Sequence, residues 1–345
     1  MKTNLLITGG AGFIGSNLAG YFLEKSFNVT IFDNFQRIGT RDNAKWLKKQ
    51  YPQINIIEGD IRDFTSVKKA VSSQNIIFHL CAQVAVTTSV IDPRTDFEIN
   101  ALGTFNLLEG IRLLNIKPIV IYSSTNKVYG GMEQIGIVEE ETQYRYKDLP
   151  YGISEDFLLD FHSPYGCSKG AADQYVRDYG RIYGIPTVVF RQSCIYGPRQ
   201  FGVEDQGWIA WFIIALTLKK QIAIYGDGKQ VRDVLFIDDL VELFDTAVKK
   251  IDQARGKIYN VGGGIKNTLS VWSDFGKILE RLFDRKIAPK FEDWRPGDQK
   301  VYVSDIRYVE KDLGWRPKLT VEEGIYKLYN WVQVNKSLFQ RIFKQ

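Results

Sequence analysis

At 345 residues the chain has room for one large domain or two modest ones, and 44% hydrophobic with 25% charged residues is ordinary for a globular protein with a sizeable core. Its 45 basic and 40 acidic residues are spread along the chain without a basic block, so the net charge of +5 fits an anionic small molecule and excludes a nucleic-acid arm. Two histidines and three cysteines without a CxxC pair argue against a metal centre or a disulfide framework, and for a reducing, cytoplasmic compartment.

The chain begins Met1-Lys2-Thr3-Asn4 with no secretory-signal pattern, and residues 4–8 read as a short apolar strand. The strand runs into Gly9-Gly10-Ala11-Gly12-Phe13-Ile14-Gly15, after which 16–25 carries Leu18, Tyr21 and Phe22 at helical spacing. A glycine turn between strand and helix lets backbone N–H groups approach a pyrophosphate at the positive end of the helix. Packing alone also produces such turns. The motif gains weight from the second strand, 28–32, which ends in Asp33-Asn34 at about the twenty-residue offset that the dinucleotide fingerprint requires. A carboxylate there accepts hydrogen bonds from both ribose hydroxyls and repels a 2′-phosphate, which predicts NAD; Arg37 and Arg41 nearby keep NADP open.

The third strand, 54–58, leads into Gly59-Asp60-Ile61, where a carboxylate and an apolar side chain could bracket an adenine; Asp63 reads as the cap of a helix over 65–71. The fourth, 75–80, delivers Leu80-Cys81-Ala82-Gln83 to the carboxyl edge of the sheet, where ligands of open α/β sheets lie. A long helix over 94–114 carries Asn100, and strand five, 118–122, delivers Ser123-Ser124-Thr125. Residues 130–161 have little periodicity and read as a long loop or lid. The next helix, capped by Ser163 with Pro164 in its first turn, runs to about 183 and is followed by a strand over 187–191.

Beyond 192 the alternation of strand and helix loosens. The predicted fold is α/β, a doubly wound parallel sheet of Rossmann type over 1–192 with a return strand near 258–261, and a smaller C-terminal α/β substrate domain over 193–345. Within it, Ser270 is the predicted cap of a helix ending at 283, and 321–332 is a last amphipathic helix. The strongest apolar run, 208–218, is too short to span a membrane and meets Lys219-Lys220.

Tyr165-Gly166-Cys167-Ser168-Lys169 places a phenol and an ammonium four apart on one helix face, so the cation can lower the phenol's pKa. Such a tyrosine can take a proton from a sugar hydroxyl that Thr125 orients. A lone Tyr and Lys at this spacing is more often a surface pair, and the reading prevails here because a hydride acceptor is encoded upstream.

With these residues the chain resembles the extended short-chain dehydrogenase/reductase family of nucleotide-sugar epimerases and dehydratases, over nearly its full length. The resemblance is carried by Gly9, Gly12 and Gly15, Gly59-Asp60, Asn100, Ser123-Ser124-Thr125, Val128-Tyr129-Gly130, and Tyr165 with Lys169. It implies Tyr165 as acid/base, Lys169 as the group that lowers its pKa and holds the nicotinamide ribose, and Thr125 as the group that orients the hydroxyl. It also implies a cofactor-binding set completed by Phe13, Ile14, Asp33, Asn34, Asp60, Ile61, Leu80, Ala82, Gln83, Asn100 and Ser123. The stretches Ser163–Asp173 and Arg191–Trp208 extend the resemblance to the branch that inverts carbon 2 of a CDP-linked 3,6-dideoxyhexose.

Two departures from the wider family stand out. Dehydratases carry Asp-Glu after the Thr, and this chain carries Asn126-Lys127, so elimination lacks its acid and base. Cys194 stands where most relatives have an Asn against the substrate's phosphates, and it reads better as a small residue shaping the pocket than as a nucleophile. Arg232 and Arg295 match family positions that grip a diphosphate, a task suited to guanidinium; the competing reading is surface pairing with Asp233 and Asp293. Gln206 and Trp208 are expected to line the sugar pocket, Trp208 alternatively the core. The expected substrate-binding set is thus Thr125, Asn126, Cys194, Gln206, Arg232 and Arg295, with no metal. A UDP- or dTDP-hexose 4-epimerase, a net dehydrogenase and a non-catalytic NAD sensor are the alternatives. The helices around Asn100 and Tyr165 resemble those of the family's four-helix dimer interface, which implies a homo-oligomer.

Overall fold

A computed structural model describes residues 2–295 and 298–343. Five strands alternate with helices in the first part of the chain: β1 (Asn4–Thr8), α1 (Phe13–Glu24), β2 (Asn28–Asp33), α2 (Thr40–Gln50), β3 (Asn55–Glu58), α3 (Phe64–Val71), β4 (Ile76–His79), α4 (Val86–Ile91), α5 (Pro93–Phe97), α6 (Gly103–Leu113) and β5 (Ile119–Thr125). The short strands β6 (Ile137–Glu139) and β7 (Tyr144–Tyr146) form an antiparallel pair inside the segment expected to be an irregular lid. Then come α7 (Ser163–Tyr183), β8 (Thr187–Gln192), β9 (Cys194–Tyr196), α8 (Trp208–Thr217), β10 (Ala223–Tyr225), β11 (Val231–Phe236), α9 (Ile237–Lys249), α10 (Ile251–Ala254) and β12 (Lys257–Val261). The chain ends with β13 (Thr268–Ser270), α11 (Phe275–Phe283), β14 (Lys290–Glu292), β15 (Val301–Tyr302), α12 (Arg307–Leu313), α13 (Val321–Val334) and α14 (Lys336–Ile342).

The main sheet has seven strands in the order β12-β8-β5-β4-β1-β2-β3, all parallel. Its strands are continuous apolar runs because helices cover both faces. Side chains alternate between those faces: Leu5 and Ile7 enter the core that α1, α8 and α9 complete, whereas Leu6, Ile77 and Val120 enter the one closed by α3, α6 and α7. The order of connection reverses between β1 and β4. The crevice at their carboxyl ends is therefore the place for a ligand. A smaller sheet joins β9, β11, β13 and β15, with β10 and β14 paired beside it.

Two helix expectations need correction. The predicted helix over 94–114 is α5 and α6 joined by a π-helical turn, Glu98–Leu102, which turns Asn100 inward. Ser270 ends β13 and accepts a hydrogen bond from the N–H of Asp274 at 2.7 Å, so it fixes the turn before α11 rather than capping it. Among the described residues no helix is long and apolar enough to cross a membrane, and no cluster of His, Cys, Asp and Glu could hold a metal.

Candidate active site

Gly9 closes β1 at φ +69°, and a Cβ there would lie 2.9 Å from the Cα of Cys81. A Cβ at Gly15 would lie 2.4 Å from the carbonyl oxygen of Gly9, so only glycine lets α1 sit this close to the turn. Gly12 precedes α1 and no side chain caps that helix, which leaves the first N–H groups, including those of Phe13 and Ile14, to an anion. At the end of β2 the Asp33 carboxylate accepts from the N–H of Ala11 at 3.0 Å and of Phe35 at 2.9 Å. Burial pushes its pKa up and the two N–H groups oppose this. Arg41 pairs with Glu58 at 2.8 Å, and Arg37 reaches Gln206 at 2.8 Å. Neither arginine makes an ion pair with Asp33. The glycine cradle and the free carboxylate beside it fit NAD.

Around the expected adenine bracket, Asp60 and Ile61 have partners within the chain. Arg62 holds the Asp60 carboxylate at 2.8 Å and its pKa down to about 2, and Asn34 donates to the same oxygen at 3.1 Å. The Ile61 side chain is buried, against the Cα of Gly103. Asn100 accepts from the N–H of Gln83 at 2.9 Å and donates to its carbonyl at 3.1 Å, and so shapes the Leu80, Ala82 and Gln83 edge.

Thr125 ends β5, and α7 lays Tyr165 and Lys169 beside it, all three buried. Ser163, at φ +69°, accepts from the N–H of Gly166 at 3.2 Å, and the N–H of Tyr165 donates to Ser89 at 3.1 Å. The helix start is thereby tied on two sides. Lys169 Nζ donates to the carbonyl of Ser123 at 2.6 Å and lies 4.2 Å from the centre of the Tyr122 ring. Burial pushes its pKa down to about 7. Burial pushes the Tyr165 phenol up to about 12, with the Thr125 hydroxyl and the Arg37 charge pulling the other way and Asp96 adding to the rise.

Beneath these groups lies a buried ion pair. Arg191 donates to both oxygens of Asp173, at 3.0 and 3.1 Å, and to the hydroxyl of Tyr129 at 3.1 Å; Ser124 donates to Asp173 at 2.7 Å. It joins β5, α7 and β8 directly under Thr125.

A cleft of about 470 Å³ opens from Thr125 and Tyr165 toward the C-terminal part of the chain. Asn126, Cys194, Gln206, Arg232 and Arg295 all line it, as does Trp208, whose ring also meets Phe275 edge-on at 5.3 Å. The arginines do not take the partners expected from sequence. Arg232 pairs with Asp298 at 2.7 Å, and Arg295 pairs with Asp205 at 3.0 Å while stacking on Tyr225. Asp233 is instead buried against Ser193 and the N–H of Gly264, with its pKa pushed up to about 6 by burial. Burial also raises the Cys194 thiol, which favours the small space-filler over the nucleophile. One cleft group escaped the sequence reading as a ligand contact: Lys127, two residues past Thr125. Only the Asn126-Lys127 departure hinted at it. At the rim, Arg37 crosses from the β2 loop to Gln206.

Residues 6–328 match the family model described as GDP-mannose 4,6 dehydratase. The chain is 46% identical over 334 residues to a CDP-paratose 2-epimerase from Salmonella typhi, covering 95% of this chain and 98% of that one. The crystal structure of a UDP-glucuronic acid 4-epimerase from Bacillus cereus with UDP-glucuronic acid and NAD is similar at a TM-score of 0.83, with 27% identity over 96% of this chain and 99% of that one. A dTDP-glucose 4,6-dehydratase from Streptomyces venezuelae with NAD bound gives a TM-score of 0.84, with 25% identity over 99% of this chain and 100% of that one.

Proposed function

This chain belongs to the GDP-mannose 4,6-dehydratase family of NAD-dependent nucleotide-sugar epimerases and dehydratases, and on that footing we propose that it is an epimerase converting CDP-paratose to CDP-tyvelose. The observation that carries this reading is the 46% identity to a CDP-paratose 2-epimerase along almost the whole of both chains, joined to Thr125 and Tyr165 in one cleft with Lys169 buried one helical turn farther along α7. Residues 1–192 with β12 hold NAD in this reading, and 193–345 mainly hold the nucleotide sugar. Bound NAD supplies the acceptor, and then the donor, of the carbon 2 hydride. Thr125 orients the hydroxyl of carbon 2, and Tyr165 takes its proton as hydride leaves. Lys169 binds the nicotinamide ribose and, when protonated, favours the Tyr165 phenolate. The 2-keto sugar turns over in the cleft so that carbon 2 receives the hydride back on its other face, while Tyr165 returns the proton to the oxygen. Asn126-Lys127 lacks the carboxyl pair that serves a dehydratase as acid and base, which supports epimerisation over water loss.

Purified protein given CDP-paratose deuterated at carbon 2, without added cofactor, is expected to yield CDP-tyvelose that retains the label, read by proton NMR. Loss of the label to solvent overturns the hydride route. No conversion even with NAD+ supplied overturns the substrate assignment and favours a 4-epimerase.

A cytoplasmic, homodimeric state belongs to the same proposal. Cys81, Cys167 and Cys194 are free thiols. Phe97, Leu102, Tyr175 and Ile182 are exposed on the α5–α6 and α7 pair, where Phe105 meets Tyr175 edge-on at 5.8 Å. The double variant Tyr175→Glu, Ile182→Glu is expected to sediment as a monomer and the parent as a dimer. A parent that is already monomeric overturns it.

A further inference from the structure

We infer that the Lys127 ammonium is a ligand for the β-phosphate of the bound nucleotide sugar, and that this contact sets which sugar carbon reaches Tyr165. The inference rests on the reading of the chain as a 2-epimerase.

The stereochemistry of the substrate sets the requirement. Only carbon 1 and its oxygen separate carbon 2 of a nucleotide sugar from the β-phosphorus, whereas four atoms separate carbon 4 from it. When carbon 2 lies against Thr125 and Tyr165, the diphosphate is therefore drawn in beside the catalytic groups. A cation must meet it there.

Lys127 is placed for that task. Its N–H donates to the Thr125 hydroxyl at 3.3 Å, which locks the two residues together, and its side chain lines the same cleft. The ammonium donates to Gln299 at 3.1 Å, a neutral amide that is itself buried and bound to the carbonyl of Gly130. Among the described residues Lys127 makes no ion pair, although Arg232 and Arg295, the other cations of the cleft, each hold a carboxylate. Burial first and then Arg232 push the Lys127 pKa down to about 8, with Asp298 and Cys194 opposing this. A diphosphate supplies a counter-charge. The glutamate that dehydratases carry here would repel a phosphate at this position, so the exchange to lysine agrees with a substrate turned to present carbon 2.

The test is calorimetric binding of CDP, CMP, UDP and UMP to the NAD-loaded protein, parent and variants. The diphosphate-to-monophosphate ratio reads the Lys127 contact, and the preference for base reads the nucleotide assignment separately. Lys127→Met is expected to weaken diphosphate binding about 10–100-fold, as for loss of a charge-assisted hydrogen bond, with monophosphate binding and NAD content unchanged. Lys127→Arg is expected to keep most of the ratio. A Lys127→Met protein with the parent's ratio overturns the inference whatever base is preferred, and so does equal loss of monophosphate and diphosphate. Failure of the 2-epimerase reading is seen independently, in the parent's product from CDP-paratose.

Discussion

Replacing Tyr165 by Phe is expected to lower kcat by about 10²–10⁴-fold, the usual range for removing a general acid/base, while NAD stays bound. The ring is buried on α7, and its main-chain N–H, not its hydroxyl, ties the helix start to Ser89, so phenylalanine keeps the packing and loses only the proton-transfer atom. The size of the loss follows from the immediate neighbours in the cleft, since neither Thr125 nor Asn126 beside Tyr165 can take its place as a base. Turnover of CDP-paratose and the NAD released on denaturation are the two measurements. A variant within tenfold of the parent would move the base elsewhere.

Replacing Arg191 by Met is expected to destabilise the protein by about 3–5 kcal/mol, because one member of a buried pair is left without its counter-charge. The side chains of Arg191 and Asp173 are 3% and 0% exposed, and the pair has two N–H···O contacts in fork geometry. The groups left hydrogen-bonded to Asp173 carry no charge: Ser124 offers a hydroxyl and Gln174 an amide. Surface pairs such as Arg281 with Glu322 are exposed to water and screened, and their removal is expected to cost well under about 1 kcal/mol. Denaturant unfolding of the NAD-loaded protein measures the difference. The double variant Arg191→Met, Asp173→Leu should recover part of the loss, since no isolated charge remains. A single-variant loss below about 1 kcal/mol would mean that water reaches the site. Because Ser124 and Thr125 are consecutive, kcat is expected to fall along with stability.

What was legible in the sequence is what the chain determines over short distances. The glycine turn at Gly9, Gly12 and Gly15, Asp33 at the end of β2, and Tyr165 and Lys169 one helical turn apart depend on backbone sterics and helical period, and each lies where those rules put it. The parallel sheet was readable for the same reason, since its strands are apolar runs between helices. Tertiary structure alone decided the partners of long and charged side chains. Arg232 found Asp298 rather than the adjacent Asp233, Arg295 found Asp205 rather than Asp293, and Lys169 took the Ser123 carbonyl. It also brought Arg37 to Gln206 and left Lys127 in the cleft without a carboxylate. A flexible side chain can reach many neighbours, and which one it meets depends on segments remote in sequence; how much water the fold excludes around it then sets its charge.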